Sequence, residues 1–434
     1  MRKFSLVAAL CAIVSIPTMA GGILTNTNQH VSFLRMIARG ASIDIDGVYS
    51  NPAGLAFLSD GFYISFNGQS AYQTRVIDAT FPLFPEGTRH YKGTASAPFI
   101  PSIQAAYRNG DWTISGSFAV TGGGGKASFD HGLPMFDSQI MAMILQSSHG
   151  TITPDKYTIN SAMDGKQYIY GAQLGLTYKV TDYLAVFAGG RMNYVNSGYE
   201  GYLDAKLNAN SAQLAGIELD CDQTGWGLTP IIGADVKLGK WNLGLKYEFK
   251  TNVNIENKTR WVVSSPQLEA ALADYKDGVN TPNDIPAYFM AALGYEILPS
   301  LRASVEYHHF FDKQAGMAND KQEHLSGGTN EYLIGAEWDI NRYVTVSAGY
   351  QNTNYGATDN FQTDTSFSLD SYSVGFGAAV NLSPKIKLNV AYFWTDYKDY
   401  TKASQNYNGL PGIAGKDVYS RTNKVFGLGI DYKF

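Results

Sequence analysis

Among the seven histidines of the sequence only His308 and His309 are adjacent, and imidazole is the side chain best suited to proton transfer or metal binding near neutral pH. On an extended strand neighbouring residues point to opposite faces, so this pair cannot hold one metal without distortion. Arg302, Glu306 and His308 fall at even spacing on one face, and His308 reads as a polar residue satisfied by its neighbours rather than as a catalytic base. Gly122, Gly123, Gly124 and Gly125 form a glycine run, yet no Lys-Ser/Thr follows as in a phosphate loop. Asp44 and Asp46 do not fit a calcium loop. No Ser/His or Asp/His arrangement stands out, so the sequence predicts no catalytic residue, no metal, no cofactor and no enzyme.

Composition narrows the class further. A formal net charge of -5 without a basic cluster argues against nucleic acid as a partner. No segment beyond the N-terminus reaches the ~18 to 20 consecutive apolar residues that a membrane helix needs. The chain opens with Arg2 and Lys3, an apolar stretch from Leu6 to Ile16, and Pro17-Thr18-Met19-Ala20, which predicts an export signal over residues 1–20. Cys11 would leave with that signal. Cys221 then stands alone, and no intramolecular disulfide is expected. No linker divides the chain after residue 60, which favours one large closed architecture.

The repeating element is an alternating strand. Over 168–180, Tyr168, Tyr170, Ala172, Leu174, Leu176, Tyr178 and Val180 interleave with Gln173, Gly175, Thr177 and Lys179. Residues 241–250 repeat the rhythm, as do 372–382 and 386–394. A sheet in lipid must close on itself, because lipid cannot hydrogen-bond a peptide group, and its strands must alternate apolar and polar faces. Short turns are predicted at 109–111, 181–182, 239–240, 298–300, 341–342 and 383–384. Longer polar connections are predicted around 75–97, 122–167, 200–223, 256–285, 312–328, 353–366 and 398–418. Six tight turns alternating with seven long loops imply an all-β chain, a transmembrane antiparallel β-barrel of about 14 strands over residues 61–434. Aromatic residues beside the turns, among them Trp112, Tyr178, Trp241 and Trp338, suit an interfacial girdle. The last strand alternates to a terminal Phe434, a pattern resembling the signal by which barrel-assembly machinery recognises outer-membrane proteins.

Residues 21–60 do not alternate. They contain Ser50-Asn51-Pro52-Ala53-Gly54-Leu55, where Pro52 pushes Asn51 out of the helical region and Gly54 permits a tight backbone, so a compact turn is expected. With Arg39-Gly40-Ala41 upstream and about 14 strands downstream, this segment resembles that of the long-chain fatty-acid transporter family of outer-membrane proteins, which includes aromatic-hydrocarbon uptake channels. The motif match covers Tyr49 to Leu58, and the layout match covers the chain after residue 20. The resemblance implies that residues 21–60 form a hatch inside the barrel carrying Asn51, Pro52, Ala53 and Gly54, where the residues alone allow a simple turn. It implies a monomer in the outer membrane that takes up hydrophobic small molecules and releases them sideways into the membrane lipid.

Two loops offer candidate capture surfaces. Phe136, Ile140, Met143 and Ile144 fall at helical spacing, as do Leu268, Ala271, Leu272 and Tyr275 after a Ser265-Pro266 start; each stripe either meets ligand or packs its loop. Gly122–Gly125 is the candidate lateral gate, since a strand end of glycines loses packing and kinks, with a flexible loop entry as the competing reading. A general porin and a surface adhesin remain alternative functions.

Overall fold

A computed structural model describes Thr25 and residues 28–264 and 269–434, so the expected export signal at 1–20 lies outside the described residues. Where a strand alternates, its register is set by the cost of misplacing inward charge, ~2 to 4 kcal/mol for each Lys or Arg moved to the bilayer midplane. Fourteen antiparallel strands result among the described residues. They are β1 Gly61–Thr80, β2 Thr88–Asn109, β3 Trp112–Phe129, β4 Tyr157–Lys179, β5 Leu184–Leu207 and β6 Gln213–Leu238. Next come β7, in two segments Trp241–Glu248 and Asn254–Ser264, and β8, in Asn280–Pro282 and Tyr288–Leu298. The circuit continues through β9 Leu301–Phe310, β10 Thr329–Asp339, β11 Val344–Asn354, β12 Ser371–Ser383, β13 in Ile386–Tyr397 and Tyr400–Ser404, and β14 Gly415–Lys433. Each strand pairs with the next, and β14 pairs with β1 from Tyr63 opposite Lys433 to Thr80 opposite Lys416, which closes the barrel.

The outer surface carries large apolar side chains, with Leu174, Trp226, Leu228 and Leu428 all more than half exposed. A belt of this size on a closed sheet is the face a bilayer covers. Gln173, Thr177, Asn242, Lys246 and Glu248 face inward and are buried, as their alternation requires. At the end with the tight turns, Trp112 packs on Tyr178 at 4.5 Å and Trp241 on Tyr295 at 4.3 Å, pairs that suit the headgroup level.

The predicted loops at 75–97, 122–167 and 200–223 are a correction. Most of those residues continue β1 to β6, which run 18 to 26 residues where β9 to β12 run 10 to 13. Crossing lipid takes only ~9–11 residues, so each of these six strands extends well past the span that lipid requires. Beyond the lipid the outer face is wetted, the apolar alternation fades, and the ladder persists without its sequence signature. These extensions hold an apolar cap in which Phe81, Phe84, Ile140, Met141, Phe367 and Tyr407 pack together.

Candidate functional site

The N-terminal segment is mostly irregular, with one short helix, α1 Val31–Arg35, and two 3-10 turns at Ile45–Val48 and Pro52–Phe57. Irregular backbone leaves peptide groups unpaired, and buried ones need partners. Inward side chains of the wall supply them. Ser102 donates to the Gln29 carbonyl (2.9 Å), Gln173 to Val48 (2.7 Å), Thr177 to Pro52 (2.8 Å), Asn242 to Ala41 (3.0 Å) and Lys246 to Tyr49 (2.7 Å). Glu306 accepts from the Gly40 amide at 2.7 Å. Gly40 also packs closely on the wall, since a Cβ built on Gly244 would lie 1.9 Å from the Gly40 carbonyl oxygen. These contacts tie the segment to β2, β4, β7 and β9.

Charge reinforces this docking. Glu337 on β10 accepts from Arg35, lies 3.1 Å from Arg39 and 2.9 Å from Arg302, and Arg39 is held in turn by both oxygens of Asp46 at 2.7 and 2.8 Å. Asn51 caps the second 3-10 turn through its side-chain oxygen to the Gly54 amide and donates to buried Asp235. Ala53 packs against Phe187 and Ile231. His30 caps α1 through Nδ1, while its Nε2 lies 2.9 Å from Ser65 Oγ. That serine donates to Asp431 rather than to His30, so the cluster ties segment to wall and lacks the polarity of a nucleophile and base. His308 faces inward between Glu306 and Glu331, at 2.8 Å from the latter, whereas Arg302, expected beside it, pairs with Glu337 and Asp339.

Above the segment lies a cavity of about 280 Å³, floored by Gln29, Phe33 and Leu34 and roofed by Leu133 and Phe367 from the cap. Its wall includes Ala97 and Ile100 of β2 and Gly123 and Gly125 of β3. These residues border a break in the ladder. Pairing between β2 and β3 jumps from Ser96–Lys126 to Ser102–Ala119, leaving 97–101 and 120–125 unpaired across the seam. Both strands are also irregular against their other neighbours: β2 shifts register against β1 between Gln69 and Ala71, which leaves Pro98 and Phe99 without β1 partners, and β3 bulges twice against β4, between Val120 and Gly122 and between Gly123 and Gly125. Gly123 has φ of +70°, a left-handed conformation that costs little only for glycine. On the β2 side Pro98 and Pro101 bring no N–H to the ladder. Ala97, Ile100 and Val120 fill the break with apolar contact, and Phe99 stands 70% exposed on the outer face. The glycine run signals one margin in the sequence; Pro98 and Pro101, which mark the other, lie just beyond the predicted 75–97 connection.

The helix α2, Pro134–Ser147, carries the first candidate capture stripe. Ile140 and Ile144 face the interior of the cap and are 2% exposed, while Phe136 and Met143 are half-buried at its edge. Of the second stripe, Leu272 and Tyr275 pack against Met135 and Cys221, which joins the two loops; Ser265, Pro266 and Leu268 lie outside the described residues. The start of α2 is fixed by Asp364, whose carboxylate accepts from the Met135 amide at 2.7 Å and from the Tyr419 hydroxyl at 3.0 Å. Burial raises the Asp364 carboxyl above the usual range, with backbone and Tyr419 donors and Lys402 opposing. A raised carboxyl contributes stability that is complete below the ordinary carboxylate range and is lost as pH rises through the raised value. Hydrogen exchange over 135–146, corrected for intrinsic rate, should therefore be slower in mild acid than at alkaline pH, and Asp364→Ala should reduce that difference, the remainder coming from Asp137 on α2 itself, whose carboxyl burial also raises.

No family model and no curated protein matches the sequence. Solved structures do. A Pseudomonas aeruginosa FadL homologue aligns at 15% identity over 95% of this chain and 100% of its own, with a TM-score of 0.69. The P. putida toluene transporter TodX aligns at 14% identity over 96% and 99%, with a TM-score of 0.56. The Ralstonia pickettii toluene transporter TbuX aligns at 14% over 90% and 94%, with a TM-score of 0.54. The chain therefore has the closed 14-stranded barrel fold of the FadL-type transporters.

Proposed function

We propose that this chain is an outer-membrane uptake channel for hydrophobic small molecules, of the kind that fatty-acid or aromatic-hydrocarbon transporters admit. The observation that carries the reading is one cavity enclosed between the N-terminal segment and the cap, with both margins of the β2–β3 break in its wall. Residues 21–60 act as a hatch, with Asn51, Pro52, Ala53 and Gly54 seated on Asp235 and Thr177. The tight turns face the periplasm and the cap faces outward. Phe136 and Met143 at the cap edge receive the ligand, and Ile140 and Ile144 line its path once α2 shifts. Gly122–Gly125 and the opposing Pro98–Pro101 stretch form the lateral gate to membrane lipid. Burial of apolar surface, worth roughly 25 cal/mol per Å², drives each transfer, and diffusion needs no coupled energy source. The last strand, ending at Phe434, addresses the barrel to its assembly machinery, and the barrel works as a monomer.

Deleting residues 21–60 tests the reading. The truncated barrel should conduct ions in a planar bilayer where the full chain conducts little, and it should lose its preference for hydrophobic solutes in proteoliposomes. An adhesin would show neither change. A general porin would conduct freely before the deletion.

A further inference from the structure

The cavity is not uniformly apolar. Arg75 on β1 and Arg421 on β14 are direct partners across the closing seam of the barrel, and both side chains line the cavity. Like charges placed opposite each other destabilise a sheet, and these two half-buried charges add a desolvation cost that no counter-ion offsets. Among the described residues neither arginine has an acidic partner, and no Asp or Glu lines the cavity. Each Nε is enclosed without a hydrogen-bond partner. Arg421 reaches only the neutral Gln73, at 2.9 Å, and the two guanidinium groups lie over the rings of Phe367 and Tyr397. The remaining cation in the lining, Lys166, is already paired with Asp222 at 2.7 Å.

We infer that Arg75 and Arg421 form a receptor for an anionic head group, so that the ligand of this cavity is an amphiphile bearing a carboxylate or phosphate rather than a neutral hydrocarbon. The inference rests on the uptake reading above and names its substrate class. A planar guanidinium pair presents forked donors that match a carboxylate or a phosphate, and the absent acid is what the ligand brings. Arg75 stands four residues along β1 from Ala71, roughly 13 Å at strand rise. Ala71 is opposite Ala97 at the margin of the break. A head held at the arginines thus leaves the tail against Phe33, Ala97 and Ile100, at the seam where lateral exit would occur.

The test compares octanoate, octyl phosphate and octanol, equal in chain length, by isothermal titration into the full chain in neutral detergent near neutral pH. At least one anion should bind more tightly than octanol by about tenfold or more, the scale of a charged hydrogen bond, and the tighter of the two identifies the head group. Arg75→Gln and Arg421→Gln should erase that preference while octanol affinity holds. Gln73→Glu, which supplies the missing carboxylate and keeps both arginines, should erase it equally. Equal affinities for anions and octanol, or a preference surviving in the double glutamine variant, would overturn the head-group site and leave the channel standing. Binding of none of the three would count against both.

Discussion

Glu337→Ala should unseat the N-terminal segment and turn a tight barrel into a conducting one. Arg35 and Arg39 are each 2% exposed and converge with Arg302 on this one carboxylate. Its removal leaves Arg35 with only neutral partners, Asn389 and Ser347, while Arg39 retains Asp46. Breaking a buried ion pair from one side typically costs ~3–5 kcal/mol, because the surviving charge stays desolvated. The segment relieves that cost by leaving the lumen, which admits water to the arginines. Single-channel conductance should rise and the thermal midpoint in detergent should fall, whereas Glu337→Gln, which keeps an acceptor, should fall between the native protein and the alanine variant. Unchanged conductance and midpoint in the alanine variant would mean that the network does not hold the segment.

Gly123→Val should cut hydrophobic uptake without preventing assembly. A Cβ at Gly123 would lie 2.1 Å from the Gln167 carbonyl oxygen, and the residue's φ of +70° is unfavourable for any β-branched side chain. The bulge must therefore rearrange, at a cost of ~1–3 kcal/mol for holding such a residue in place. If passage needs the bulged form, that cost slows uptake roughly 10- to 100-fold. Assembly can be checked separately from transport by the heat-modifiable gel mobility of the folded barrel. Replacing Pro98 and Pro101 together with valine approaches the same break from β2, by restoring two N–H donors that favour a continuous ladder. Both variants should be slow; full uptake in both, with assembled barrels, would remove the β2–β3 break from the route.

Much of the wall was legible because alternation is local. Gln173 and Leu174 differ by one position and lie on opposite faces, and the pleat alone dictates that. The six short turns were readable for the same reason, and so was the compact Asn51–Gly54 turn, which needs only the backbone limits of proline and the freedom of glycine. The stripe on α2 was readable as a helix, but not the direction in which Ile140 and Ile144 point. Helical spacing names a face; the cap packed against it decides whether that face meets ligand or neighbours. His308 was correctly expected to face inward with Glu306, while its second partner, Glu331, required the pairing of β9 with β10.

By itself, then, the sequence determined a strand period of two, the turns that interrupt it, a polar inward face and an irregular leading segment. Tertiary structure alone decided how far β1 to β6 extend, that two prolines oppose a glycine bulge, and that Arg75 meets Arg421 across the seam. The division follows from range. A pleat is set between adjacent residues, whereas closure and shear bring together side chains hundreds of positions apart, and no local pattern encodes which of them will share a cavity without a counter-ion.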